Sequence, residues 1–160
     1  MNKKLLKLLE KNARYTTADL ATMLGLSENE VCDEIEKLKK DGVIRGFKTV
    51  VDWERLDSAY VSALIELNVT PQADSGFEDA AKKIMKYDEV ETVYLMSGGY
   101  DLAVIVKGKT FQEVAMFVGK VLAPMKGVIS TATHFVLRRY KELDVILCGD
   151  EDDDRGTFWL

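Results

Sequence analysis

The sequence predicts an α+β chain in two parts: a small helical head, and behind a linking strand a body in the order βαββαβ. Three observations predict it. Two capped helical stretches, 17–24 and 27–40, are separated only by Gly25 and Leu26; residues 59–69 alternate apolar and polar; and Gly98-Gly99 divides two β-rich runs.

In the head, Leu5, Leu8 and Leu9 give a Lys-rich first helix one apolar face. Thr17 is the expected N-cap of the second helix, whose Leu20, Ala21 and Leu24 share a face, and Gly25 suits the left-handed residue that ends a helix. Ser27 with Glu30 three residues on reads as a capping box. Val31, Ile35 and Leu38 form the inward stripe of the third helix, Lys39 and Lys40 suit its negative end, and Gly42 closes it. Two helices joined by so short a turn form a helix-turn-helix, the motif that seats a helix in the DNA major groove, although a helical hairpin with no DNA role has the same periodicity.

Residues 43–52, rich in β-branched and aromatic types, predict a linking strand, and 59–69 a half-buried strand ending near Pro71. A helix follows, capped by Asp74 or Ser75, with Phe77, Ala80, Ala81, Ile84 and Met85 inward. Residues 90–96 and 102–106 form a hairpin across the glycine pair. Thr110 and Glu113 read as another capping box, opening a helix with Phe111, Val114, Phe117, Val118 and Val121 inward and ended by Pro124 and Gly127. Strands at 128–137 and 143–148 complete a ferredoxin-like body with its helices on one sheet face. The other face needs a cover, and a second copy of the chain is the economical one. The expected division is therefore 1–52, 59–148 and a tail at 149–160.

The 160 residues carry a net charge of −5. Residues 1–52 sum to +1 and 149–160 to −4, so the acidity is mostly the tail. Such a run is usually a solvated end, but Phe158, Trp159 and Leu160 could let it dock on a partner or on the chain's own basic face. No apolar run is long enough for a membrane span and no signal peptide is apparent, which predicts a cytoplasmic protein that engages no membrane. Cys32 and Cys148 read as ordinary reduced thiols; with His134 as the one histidine, no metal or cofactor is expected.

A winged or three-helix head, a linking strand and a ferredoxin-like body in this order resemble the Lrp/AsnC family of transcription regulators over about residues 3–147. The resemblance rests on Asn12-Ala13-Arg14, Leu20-Ala21, Gly25-Leu26-Ser27, Val31, Ile35-Glu36-Lys37-Leu38 and Gly42-Val43-Ile44-Arg45-Gly46-Phe47 in the head, and on Gly98-Gly99-Tyr100-Asp101 and Thr131-Ala132-Thr133 in the body. It implies binding to double-stranded DNA and a homo-oligomer, at least a dimer and commonly a tetramer or octamer. It also implies a small amino-acid-like effector bound between dimers near Gly98, Gly99, Tyr100 and Asp101, with Thr131 and Thr133. The chemistry agrees: open glycine N–H groups suit a carboxylate and Asp101 suits an ammonium, while a tight turn capped by Asp101 is the structural alternative.

The expected DNA contacts are Ser27, Glu28, Asn29, Asp33, Lys37, Lys40, Arg14 and Arg45, with Lys3, Lys4, Lys7 and Lys39 as further phosphate ligands. A step of about 100° per residue places Asn29, Asp33, Glu36 and Lys40 opposite the inward stripe. Two of these are acids, repelled by phosphate yet able to accept from a cytosine amino group. Alternatively, Asp33 with Lys37 and Glu36 with Lys40 form i, i+4 pairs on a solvated face. A metabolite sensor or co-regulator acting through protein contacts is therefore a competing reading. Siroheme decarboxylases share a similar two-part architecture, but this sequence shows no catalytic constellation, and a non-enzyme is expected.

Overall fold

The computed structural model describes residues 2–56, 60–74 and 76–147; the expectations for Ala59, Ser75, Cys148 and the tail fall outside them. Contacts divide the chain into two compact units, Met1–Thr49 and Val50–Leu160.

Unit 1 is built from α1 (Lys3–Lys11), α2 (Thr17–Leu24) and α3 (Glu28–Lys40). Leu5, Leu9, Leu20, Ala21, Val31 and Leu38 are buried together, so each helix contributes its predicted apolar face. The N-cap of α2 is Thr16 rather than Thr17: its hydroxyl accepts from the Asp19 N–H at 3.1 Å and its own N–H donates to the Asp19 carboxylate at 3.0 Å. The box needs an acid three residues on, and only Thr16 has one. Gly25 takes φ +67° and ends α2, and the Ser27–Glu30 box opens α3 as expected. α3 ends at Lys40 with Asp41 as its C-cap; Gly42 follows at φ +70°, and the N–H groups of Val43 and Ile44 return to the Leu38 carbonyl at 2.9 and 3.1 Å.

Residues 43–52 are not a strand. Their composition suits one, but a strand exists only against a hydrogen-bonding neighbour, and the described residues of this chain offer none.

Unit 2 opens on a short 3₁₀ turn, Trp53–Arg55, followed by β1 (Val61–Val69), α4 (Glu78–Ile84), β2 (Val90–Leu95), β3 (Leu102–Gly108), α5 (Phe111–Phe117) and β4 (Val128–Phe135). The strands order as β2-β3-β1-β4, with all pairs antiparallel. This is the ferredoxin-like arrangement that the element order predicts. Ala63, Ile65, Leu67 and Val69 of β1 meet Leu102, Val104 and Val106 of β3 beneath Ala80, Ile84, Val114, Phe117, Val118 and Leu122, forming the core.

Several details depart from the sequence reading. α4 has no side-chain cap, so Asp74 does not start it, and Met85, one residue past its end, is 60% exposed. Only half of the Thr110 box forms, because the Glu113 carboxylate accepts from the Lys109 N–H at 2.7 Å. A π-helical turn, Val118–Leu122, succeeds α5 and shifts the inward register by one residue, so that Leu122 rather than Val121 is fully buried. Phe111 is 55% exposed instead of inward. Where one final strand was expected, β5 (Lys141–Glu142) and β6 (Val145–Ile146) form a tight hairpin, turned by Leu143 and Asp144 at φ 44° and 67°.

Candidate DNA and effector sites

Burying Val31 and Leu38 fixes which side of α3 faces outward: Asn29, Asp33, Lys37 and Lys40 are exposed, as are Glu36 and Cys32. Asn29 and Asp33 lie in the N-terminal half of α3, and Lys40 at its C-terminal end, about 16 Å along the axis from Asn29. Ser27 and Glu28 stand at the start of α3 but are engaged locally. The Ser27 hydroxyl donates to Glu30 at 2.8 Å, and Glu28 accepts from the Thr17 hydroxyl at 3.5 Å. Arg14 and Arg45 are exposed on the flanking turns. The Arg45 guanidinium lies over Gly42, where an added Cβ would meet it at 3.2 Å.

The acids on α3 have different roles. Glu36 pairs with Lys39 at 2.8 Å, not with Lys40 as the i, i+4 reading expects. Glu34 accepts from the Asn2 backbone N–H at 2.8 Å and so ties α1 to α3. Ser27 lowers the Glu30 pKa, its backbone N–H contributing more than its hydroxyl. Of the acids expected to face the groove, Asp33 lines an open cleft with Glu30, Glu34 and Lys37.

At one end of the sheet in unit 2, Gly98 and Gly99 form the open tip of the β2–β3 loop. Beyond the adjacent residues, no heavy atom lies within 4 Å of a Cβ placed on either, so their backbone is open to approach. Asp101 is tied down. Its N–H donates to the Leu67 carbonyl at 3.0 Å, its carbonyl accepts from the Met96 N–H at 2.8 Å, and its Oδ2 accepts from the Val69 N–H at 2.8 Å. The β1–β4 register shifts between Asn68 and Val69, and the Asp101 carboxylate supplies an acceptor for the N–H at that irregularity. One carboxylate oxygen thus has a structural bond, and a ligand ammonium would have to use the other.

Thr131 and Thr133 stand opposite Leu67 and Ile65 of β1. They are not on the strand beside the loop, because β1 lies between β3 and β4, so Thr131 is about 10 Å across the sheet from Leu102. Tyr100 is half-buried within the loop. The fold thus brings Gly98, Gly99, Tyr100, Asp101 and Thr131 to the same end of the sheet, with Thr133 one pair further in. The tie from Asp101 to Val69 was invisible in the sequence, because a β-bulge has no residue signature here. Among the described residues no group of His, Cys, Asp and Glu is placed to hold a metal ion, and no helix is long and apolar enough to cross a membrane.

Both parts of the chain match known families. Residues 2–45 match a winged helix-turn-helix DNA-binding family, and residues 62–146 match the Lrp/AsnC ligand binding domain. The uncharacterized HTH-type transcriptional regulator YugG of Bacillus subtilis is 40% identical over 152 residues, which span 94% of this chain and 92% of that protein. The structure of Escherichia coli AsnC superposes with TM-score 0.66 at 25% identity, over 86% of this chain and 91% of the other. The fold also matches the L-Met complex of the regulator NMB0573 from Neisseria meningitidis, with TM-score 0.70 at 23% identity over 89% and 93% of the two chains. A DNA-binding head and a ligand-binding body matched in sequence, with a relative aligned along almost the whole length, place this chain in the Lrp/AsnC family as a DNA-binding transcriptional regulator.

Proposed function

We propose that the protein is an oligomeric cytoplasmic regulator, not a catalyst, whose DNA affinity is set by a small amino-acid-like effector. Residues 1–52 carry DNA binding, and residues 59–148 carry effector binding and assembly. The observation that carries the reading is the doubly capped helix-turn-helix joined in one chain to a body of the Lrp/AsnC ligand-binding type. Asn29 and Asp33 meet base edges, while Lys37, Lys40, Arg14 and Arg45 meet phosphates, with Ser27 and Glu28 at the helix entry. The effector sits at Gly98, Gly99, Tyr100 and Asp101, with Thr131 and Thr133 alongside.

Pairing with a second copy is favoured by the unpartnered segment 43–52, which exposes Val43, Phe47 and Val51. The sheet face away from the helices, bearing Leu64, Ile105 and Tyr94, favours it too. A dimer is therefore the minimum species, with tetramers or octamers built from it. Because the head carries only +1 charge, useful affinity requires several heads on one DNA, with half-sites about one helical turn apart or a multiple of it. An effector alters binding only through a difference in affinity between assembly states.

The deciding experiment is fluorescence anisotropy on DNA from just upstream of the protein's own gene, at several salt concentrations. It is run with and without each of the twenty amino acids, beginning with L-methionine, alongside light scattering. Salt-sensitive binding that changes with one amino acid, in step with oligomer size, is expected. A persistent micromolar monomer, or DNA binding indifferent to every amino acid, overturns the proposal.

A further inference from the structure

At the opposite end of β1 from the Gly98–Asp101 loop, about 26 Å away along the strand, lies a cleft of about 300 Å³ that the reading above does not use. Its walls are Trp53, Tyr60, Phe111, Val136 and Leu137. Four of these are large apolar side chains left in solvent: Phe111 is 55% exposed and Leu137 89%, with Trp53 and Val136 partly so. Exposed apolar groups gathered around one concavity, rather than scattered, mark a place where something binds.

Two opposite charges converge on the same cleft. Arg139 is held in place: its guanidinium lies 5.0 Å from the centre of the Tyr60 ring, its Nε is 3.7 Å from Glu142, and its side chain is only 16% exposed. Glu54 accepts the Arg139 backbone N–H through one oxygen at 3.2 Å. The Trp53 and Tyr60 rings, 5.7 Å apart and tilted by 59°, fix the aromatic wall between them. Burial, the largest influence, pushes the Tyr60 pKa up, so its phenol stays neutral at physiological pH.

We propose that this cleft is a second effector site, separate from the Gly98–Asp101 loop, for an amino acid with a large apolar side chain: carboxylate on Arg139, ammonium on Glu54, and side chain among Trp53, Phe111 and Leu137. A simple apolar acid would meet repulsion from Glu54 and Glu142, and a simple amine would meet Arg139. A zwitterion satisfies both charges. The volume is at the small end for ligand pockets and suits a phenylalanine-sized molecule. Trp53 and Glu54 follow directly on the linking segment 43–52 in sequence, so a ligand here would touch the root of the connection to the DNA-binding head.

The chain has two tryptophans, so Trp159→Phe leaves Trp53 as the single tryptophan reporter in the full-length protein, excited selectively on the red edge where tyrosine does not absorb. L-phenylalanine is expected to change Trp53 emission saturably, with 3-phenylpropionate and phenethylamine at least about tenfold weaker, the loss of one charge-assisted contact each. Glu54→Gln keeps an acceptor for the Arg139 N–H but removes the charge, and should weaken L-phenylalanine about tenfold. Leu137→Asp changes a side chain almost wholly in solvent, so it leaves the fold intact and should abolish the response. Asp101→Asn should leave it unchanged, which separates this site from the loop. The proposal is overturned by any of three results: no saturable response up to about 20 mM, a response indifferent to both Glu54→Gln and Leu137→Asp, or one that Asp101→Asn alone removes.

Discussion

Asp101 is the residue where a structural bond and the proposed effector contact would share one side chain, and two substitutions separate them. Its Oδ2 accepts the Val69 N–H at 2.8 Å in partly buried surroundings, where the β1–β4 register slips. Asp101→Ala leaves that N–H without its acceptor and removes a hydrogen bond to a charged group, a loss of about 1.5–3 kcal/mol. Asp101→Asn keeps a carbonyl oxygen in the same place and exchanges a charged acceptor for a neutral one, so about 1 kcal/mol should be lost. In a unit of this size these correspond to Tm shifts of very roughly 10 °C and 5 °C. Urea unfolding followed by Trp53 emission in the Trp159→Phe background reads the unit directly, at fixed protein concentration because assembly adds to apparent stability. If Asp101 also binds an effector ammonium, both variants lose effector affinity about tenfold while Ala loses more stability than Asn. Equal stability of Ala and Asn would show that the Val69 bond contributes nothing, and undiminished effector binding in Asp101→Asn would show that the carboxylate charge plays no part in recognition.

Two further outcomes follow from unit 1. Asp33→Lys combined with Glu36→Lys should raise affinity for non-specific DNA and steepen its dependence on salt, whereas Glu34→Lys should instead loosen the head, because Glu34 holds the Asn2 N–H; anisotropy and urea unfolding of the two variants check this. Glu30 is held below its ordinary value of 4.5 by Ser27, so it supports the α3 cap above that pH and ceases to do so as the pH falls through the lowered value; Glu30→Gln should remove this part of the acid sensitivity in a pH titration of helix content.

The sequence by itself determined the element order, because it is written in local terms. Apolar spacing on α1 to α3, the Ser27–Glu30 box, Gly25 and the alternation through β1 each act over a few residues and need no distant partner to be read. The same locality explains where reading failed. Residues 43–52 have strand composition and no strand, since pairing requires a neighbour that the described part of one chain does not supply. The π turn after Phe117 moved burial from Val121 to Leu122 without any residue that announces it. Gly98 to Asp101 were legible as a loop with ligand chemistry, but only the tertiary structure showed Asp101 bonded to Val69 and β1 standing between that loop and Thr131. The cleft of Trp53, Tyr60 and Arg139 was wholly illegible, because its walls come from segments more than 80 residues apart that meet only once the sheet has formed.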